Sequence, residues 1–109
     1  MLDFRLYLAQ RISAIIMAPL VLLHLAVIII AIQNGLDAAE ILSRTQGSLL
    51  WGGLYGLFVL CVAIHGAIGL RVIVFELFTP AKLMLDVFTV LIALFLLILG
   101  GRAVLAVVL

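Results

Sequence analysis

Charge is what this sequence has least of. Only 10% of its 109 residues are Asp, Glu, Lys or Arg, whereas 69% are hydrophobic and the mean hydropathy is +1.55. A soluble domain averages about a quarter charged and about half apolar residues. These residues therefore cannot be sorted with hydrocarbon inside and polarity outside, and the sequence is that of a membrane protein. Six cations against five anions leave a formal net charge of +1, spread thinly and without a basic cluster, so no nucleic-acid partner is implied. A single cysteine, Cys61, excludes a disulfide within the chain and reads as a small hydrophobe in an apolar run.

What is present is three apolar runs. The uncharged stretches 12–36 and 45–70 are each long enough to cross a hydrocarbon core, which takes about 20 residues at ~1.5 Å of rise each. The third, 87–101, is shorter and is extended by the apolar run 103–109, with Arg102 snorkelling toward a headgroup region. The expected fold is all-α: one transmembrane domain over residues 1–109 with helices at about 8–33, 48–77 and 84–107, part of a larger membrane helical bundle. An amphipathic lead, 1–10, precedes the first span. That span is too long for a signal peptide and is not closed by a small-x-small cleavage site. Arg5, Arg11, Arg71 and Lys82 on one side against Arg44 and Arg102 on the other place the N-terminus in the cytoplasm.

Local signals refine this layout. Pro19 removes a backbone donor within the first span and bends it. Asn34-Gly35 stops that span, and residues 36–42 suit a short interfacial helix with Asp37 as its N-cap. In the second span Gly52 and Gly56 form a small-xxx-small surface for a close helix. Ser48, Trp51 and Tyr55 lie toward the outer interface. Thr79-Pro80 ends the second span. The third reads as packing and lipid contact with no chemistry.

Ionisable groups inside a membrane cost several kcal/mol unless paired, which makes each a functional candidate. His65 is either a haem ligand or a histidine hydrogen-bonded across helices. Gly69, one turn on, removes the side chain a porphyrin plane would meet. Arg71 lies six residues on, ~9 Å along the axis and at about the reach of a propionate. His24 lies ~20 Å from the inner end of its helix, about twice the depth of His65. The two cannot clamp one iron, so His24 either ligates a second, deeper haem or makes a structural hydrogen bond. Arg11 is a snorkelling anchor or, with Tyr7, Gln10 and Ser13, a hydrogen-bonding group for a quinone carbonyl or a propionate.

His65-x-x-x-Gly69-x-Arg71 with an acid at Glu76, together with Gln10-Arg11-Ile12-Ser13-Ala14 opening the first span, resembles the cytochrome b membrane-anchor subunit of succinate dehydrogenase (succinate:quinone oxidoreductase). The family pattern is of the type Ser-x-x-His-Arg-x-Ser-Gly on the first helix and His-x-x-x-Gly-x-Arg-His on the second, with an acid four residues further on. The resemblance covers the three-helix layout, while the motifs span about 20 residues in this sequence. It implies that His65 is an axial ligand of haem b and that a second membrane subunit supplies the other. It also implies that Arg71 lies near a propionate and Arg11 near the quinone or a propionate. Flavoprotein and iron–sulfur subunits would dock on the inner face, since this chain has no motif for either cofactor. Tyr7, Gln10, Ala14 and Val72 depart from the pattern, replacing serine, histidine, glycine and histidine respectively. Ser13 matches a family serine and becomes the polar candidate beside Arg11. The absence of a transit-type leader points to a bacterial inner membrane. Two other readings stand beside this one: a cytochrome b anchor of the hydrogenase or formate dehydrogenase type, and a haem-free structural membrane subunit.

Overall fold

A computed structural model describes residues 3–109 as four helices: α1 (Phe4–Gln33), α2 (Ala38–Thr45), α3 (Leu49–Phe78) and α4 (Lys82–Val108). The three long ones are apolar enough to cross a membrane. Their apolar residues surround the whole helix circumference and form no single stripe, the pattern of a span with lipid or protein on every side.

Short polar side chains set the helix starts. The Asp3 carboxylate accepts from Leu6 N at 2.9 Å, so α1 begins at Phe4 and absorbs most of the expected lead. The first two residues of that lead lie outside the described residues. Asp37 caps α2, accepting from Ala39 N at 3.3 Å, and Ser48 caps α3, accepting from Trp51 N at 3.1 Å. α1 stops at Asn34-Gly35, where Gly35 takes φ +96°. α3 ends at Thr79, held left-handed at φ +44° immediately before Pro80, and α4 starts two residues earlier than expected, at Lys82.

α3 is the middle of a row, packed on α1 along one side and on α4 along the other. It supplies most of the buried positions: Cys61, Ala63, Ala67, Ile68 and Arg71. Both interfaces are antiparallel. Gln10 lies opposite His65, and His24 opposite Tyr55 and Phe58. On the other side Gly52 meets Val108, Val59 meets Gly100, Gly66 meets Leu96 and Arg71 meets Asp86. Gly100 permits the closest approach, since a Cβ there would sit 2.5 Å from Val59 Cγ1. Of the expected small-residue pair, Gly52 faces α4 and Gly56 has open space beside it.

The end of the bundle that carries α2 is tied by backbone acceptors that a helix leaves unsatisfied. Thr45 Oγ1 donates to Val107 O at 2.7 Å, and Gly47 N donates to Val108 O at 2.7 Å. Large apolar side chains such as Leu22, Leu91 and Ile98 remain exposed along α1 and α4, available to lipid or to further helices.

Candidate functional site

The polar groups of the spans gather at two levels. At the first, His65 of α3 is half-buried and its Nδ1 lies 3.4 Å from the backbone oxygen of Gln10 in α1. This is a long contact, and its geometry suits an Nδ1–H directed at the carbonyl, which leaves the lone pair on Nε2. The same carbonyl accepts from Ser13 Oγ at 3.0 Å. The Gln10 amide lies over Gly69: its nitrogen would be 3.7 Å from a Cβ at that position. Gln10 Oε1 is buried without a hydrogen-bond partner among the described residues.

The residues expected at a quinone do not all converge. Tyr7 and Arg11 are exposed and, four residues apart, share one face of α1 to within about 40°. Ser13 is buried, turned away from them, and its hydroxyl is engaged by its own helix.

Arg71 lies six residues beyond His65, about 120° round the helix, and faces α4 where His65 faces α1. It is only 4% exposed. Its Nη1 lies 2.8 Å from Asp86 Oδ1 and donates to Thr89 Oγ1 at 3.1 Å. The Thr89 hydrogen goes to Leu85 O at 2.7 Å, which leaves the hydroxyl oxygen to accept. Asp86 Oδ2 receives Lys82 Nζ at 2.8 Å. The expectation that the third span carries no chemistry is thereby corrected: α4 supplies the anion and the hydroxyl that make a buried guanidinium tolerable. Two signals could have found them, the Lys82/Asp86 spacing of four and the Asp86/Thr89 spacing of three, each of which puts its pair on one helical face.

The second level belongs to His24. Its ring stands edge-on to Tyr55 (centroids 5.8 Å apart, 85°) and tilted on Phe58 (5.3 Å, 48°), and its Nδ1 is buried without a partner among the described residues. A cavity of about 360 Å³ opens beside it, apolar except for His24, Tyr55, Thr45 and Arg44. Phe58 is seven residues from His65, so the histidine levels differ by ~10 Å or more on α3.

The three-span bundle agrees with what comparison with known proteins finds. Residues 2–100 match the family described as succinate dehydrogenase/fumarate reductase transmembrane subunit. The chain belongs to that family. No curated protein and no solved structure matches it significantly. Membership removes the hydrogenase- and formate dehydrogenase-type anchors from consideration and makes the chain a subunit of a succinate dehydrogenase/fumarate reductase complex.

The donor set of this anchor subunit suits one axial position of a haem. His65 has Nδ1 turned to a carbonyl, as metal-ligating histidines usually do. Its surroundings are apolar, and a buried cation lies ~9 Å along the helix. His24 lies at another level, so the two histidines could not bind one iron.

Proposed function

We propose that this chain is the membrane-anchor and haem b subunit of a succinate:quinone oxidoreductase in a bacterial inner membrane, with its N-terminus cytoplasmic. In this reading it docks the flavoprotein and iron–sulfur subunits and forms part of the quinone site. The observation that carries it is the Nδ1 contact of His65 with Gln10 O, which reserves Nε2 for iron. The other axial histidine comes from a second membrane subunit. When bound, haem b supplies a one-electron carrier beside the quinone. The chain's own residues hold and shape that place. Gln10 O fixes the His65 ring, Gly69 keeps the surface beside it flat, and Arg71 contributes positive charge. Arg11 and Tyr7, adjacent and exposed on α1, donate hydrogen bonds to the quinone, while Ser13 steadies the turn that carries them. His24, wedged against Tyr55 and Phe58, is assigned to packing, and no second haem is placed there.

The purified complex should show reduced-haem absorption bands that His65→Ala abolishes or shifts; an unchanged spectrum in that variant would sink the haem assignment. Arg11→Ala should lower quinone reduction while leaving dye-linked succinate oxidation intact, and equal loss of both would count against the quinone role.

A further inference from the structure

The cavity beside His24 runs along the bundle toward α2. His24, Phe58 and Gly100 form its deep end, and Ala31, Arg44 and Val107 the other. Seven residues separate the two ends on both α1 and α4, ~10 Å of helical rise. α2 joins two spans, so the end that it closes lies at the boundary of the apolar layer. At about 360 Å³ the cavity has the size of a small-molecule site, ~300–1,000 Å³. Its walls are mostly hydrocarbon. Of its polar members, His24 and Tyr55 are packed ring against ring, while Arg44 and Thr45 stand at the α2 end. Thr45 Oγ1 already donates to Val107 O.

The bonding capacity left at that end belongs to one ion pair. Arg44 Nη2 is paired with Glu40 Oε1, which also accepts from Asn34 Nδ2 at 3.2 Å. Arg44 Nη1 and Glu40 Oε2 are both buried with no partner among the described residues. A buried donor or acceptor left alone is costly, and in a native structure it points to a water, an ion or a ligand. Here the two atoms are a donor on a cation and an acceptor on an anion. The pair as a whole carries no net charge, so a purely anionic group brought to Arg44 also meets the repulsion of Glu40. A group that holds an oxyanion and an N–H cation together satisfies both atoms at once.

We propose that this cavity is a phospholipid site: one acyl chain fills it down to His24, and a phosphoethanolamine head sits at the α2 end. A phosphate oxygen accepts from Arg44 Nη1, and the ammonium donates to Glu40 Oε2. A choline head has no N–H to give Glu40, and a glycerol head has no cation. The site makes no use of the haem and quinone assignments and stands or falls without them.

The experiment uses the whole complex, stripped of lipid by detergent washing and returned to dodecyl maltoside micelles. The micelles contain a diazirine-tailed phosphatidylethanolamine, phosphatidylglycerol or phosphatidylcholine. Light fixes the tail to its neighbours, and peptide mass spectrometry counts the label on the cavity-lining residues of α1 and α4, with thermal melting measured in parallel. At equal mole fraction the ethanolamine lipid should label them about tenfold more than the choline lipid, the effect of one charge-assisted hydrogen bond. Arg44→Gln should lower the label from all three lipids, and Glu40→Gln should bring the ethanolamine and glycerol lipids level. Arg44→Lys is included because Arg44→Gln leaves the Glu40 carboxyl without its cation and is at risk of loosening α2; it keeps the charge and should keep the ethanolamine preference. Ala103→Phe fills the cavity from α4 and should cut the label with the head contacts intact, whereas Ala106→Phe, exposed on α4 and outside the cavity, should leave it unchanged. Equal labelling by the three lipids, or an Ala103→Phe complex labelled like wild type, would overturn the inference. So would a wild-type complex in which exposed residues of α4 take the label and the cavity takes none, the result expected if a partner helix covers its mouth.

Discussion

The contact between Gly100 of α4 and Val59 of α3 makes the sharpest test of the packing. An alanine Cβ at position 100 would stand 2.5 Å from Val59 Cγ1, 2.9 Å from Cγ2 and 3.2 Å from Cβ. Turning χ1 of Val59 does not relieve all three, because valine has one strongly preferred rotamer in a helix and its Cβ is already too close. The backbones must therefore separate. Overpacking of this kind costs about 1–3 kcal/mol, and alanine recovers at most about 1 kcal/mol of that through its better helix propensity. The net expectation is a loss of ~1–2 kcal/mol of helix–helix association, five- to thirty-fold in the equilibrium. Val59→Ala alone should cost ~1 kcal/mol or less: lipid tails are as apolar as valine, so only packing is lost. The pair Gly100→Ala/Val59→Ala should be milder than the two costs added, since the two Cγ atoms causing the clash are gone. The assay is a double-mutant cycle on the thermal stability of the detergent-solubilised complex. Additive effects, or a Gly100→Ala variant as stable as wild type, would refute the close approach of α3 and α4.

Two further outcomes follow from the end of the bundle that carries α2. His24→Leu removes a buried ring nitrogen with no partner among the described residues, a group that costs about 1–3 kcal/mol when unsatisfied; the melting temperature should hold or rise with the haem count unchanged. Loss of haem in a pyridine-haemochrome assay would reverse the assignment of His24 to packing. In α2 the side-chain amide of Asn34 and then the Arg44 guanidinium hold the Glu40 carboxyl below its ordinary value of 4.5, against the opposing effect of desolvation. A carboxyl lowered in the folded state contributes stability above its unfolded value and loses it as pH falls through the folded value. Amide-exchange protection over residues 38–45 should therefore be level above about pH 5 and decline below it, and Glu40→Gln should remove that dependence. A wild-type profile that stays flat on acidification would contradict the pairing.

The spans and their interruptions are legible in the sequence because they depend on local chemistry. Apolar runs of sufficient length become membrane helices, Asp37 and Ser48 are good caps wherever they stand, and Asn34-Gly35 and Thr79-Pro80 halt a helix through their own backbones. The early start of α1 is local too: Asp3 is a cap that the hydropathy boundary obscures. The difference in level between His24 and His65 can also be read from residue counts, since helical rise is fixed. What the sequence leaves open is azimuth between helices. Arg71 follows His65 closely enough to suggest a shared target, yet it is about a third of a turn away and meets α4. Ser13 and Arg11 are neighbours in the chain and point oppositely. Only the position of α3 between its two neighbours decides which side chain meets which, and that is a property of the assembled row.

The same row explains why polar groups at the His65 level divide into spent and unspent. Arg71 finds Thr89 and the part-exposed Asp86 across the α3–α4 interface, and Ser13 bonds the Gln10 carbonyl of its own helix. Gln10 Oε1, although buried, has no partner among the described residues. A buried acceptor left alone costs about 1–3 kcal/mol, and the Gln10 amide is held over Gly69 beside His65. The cost is carried where the chain also presents an imidazole with one nitrogen turned inward. A subunit that folded for its own stability alone would be improved by an apolar side chain at position 10. Under the proposed function, the Gln10 amide and the half-buried imidazole would together mark the surface of α1 and α3 that a partner subunit completes.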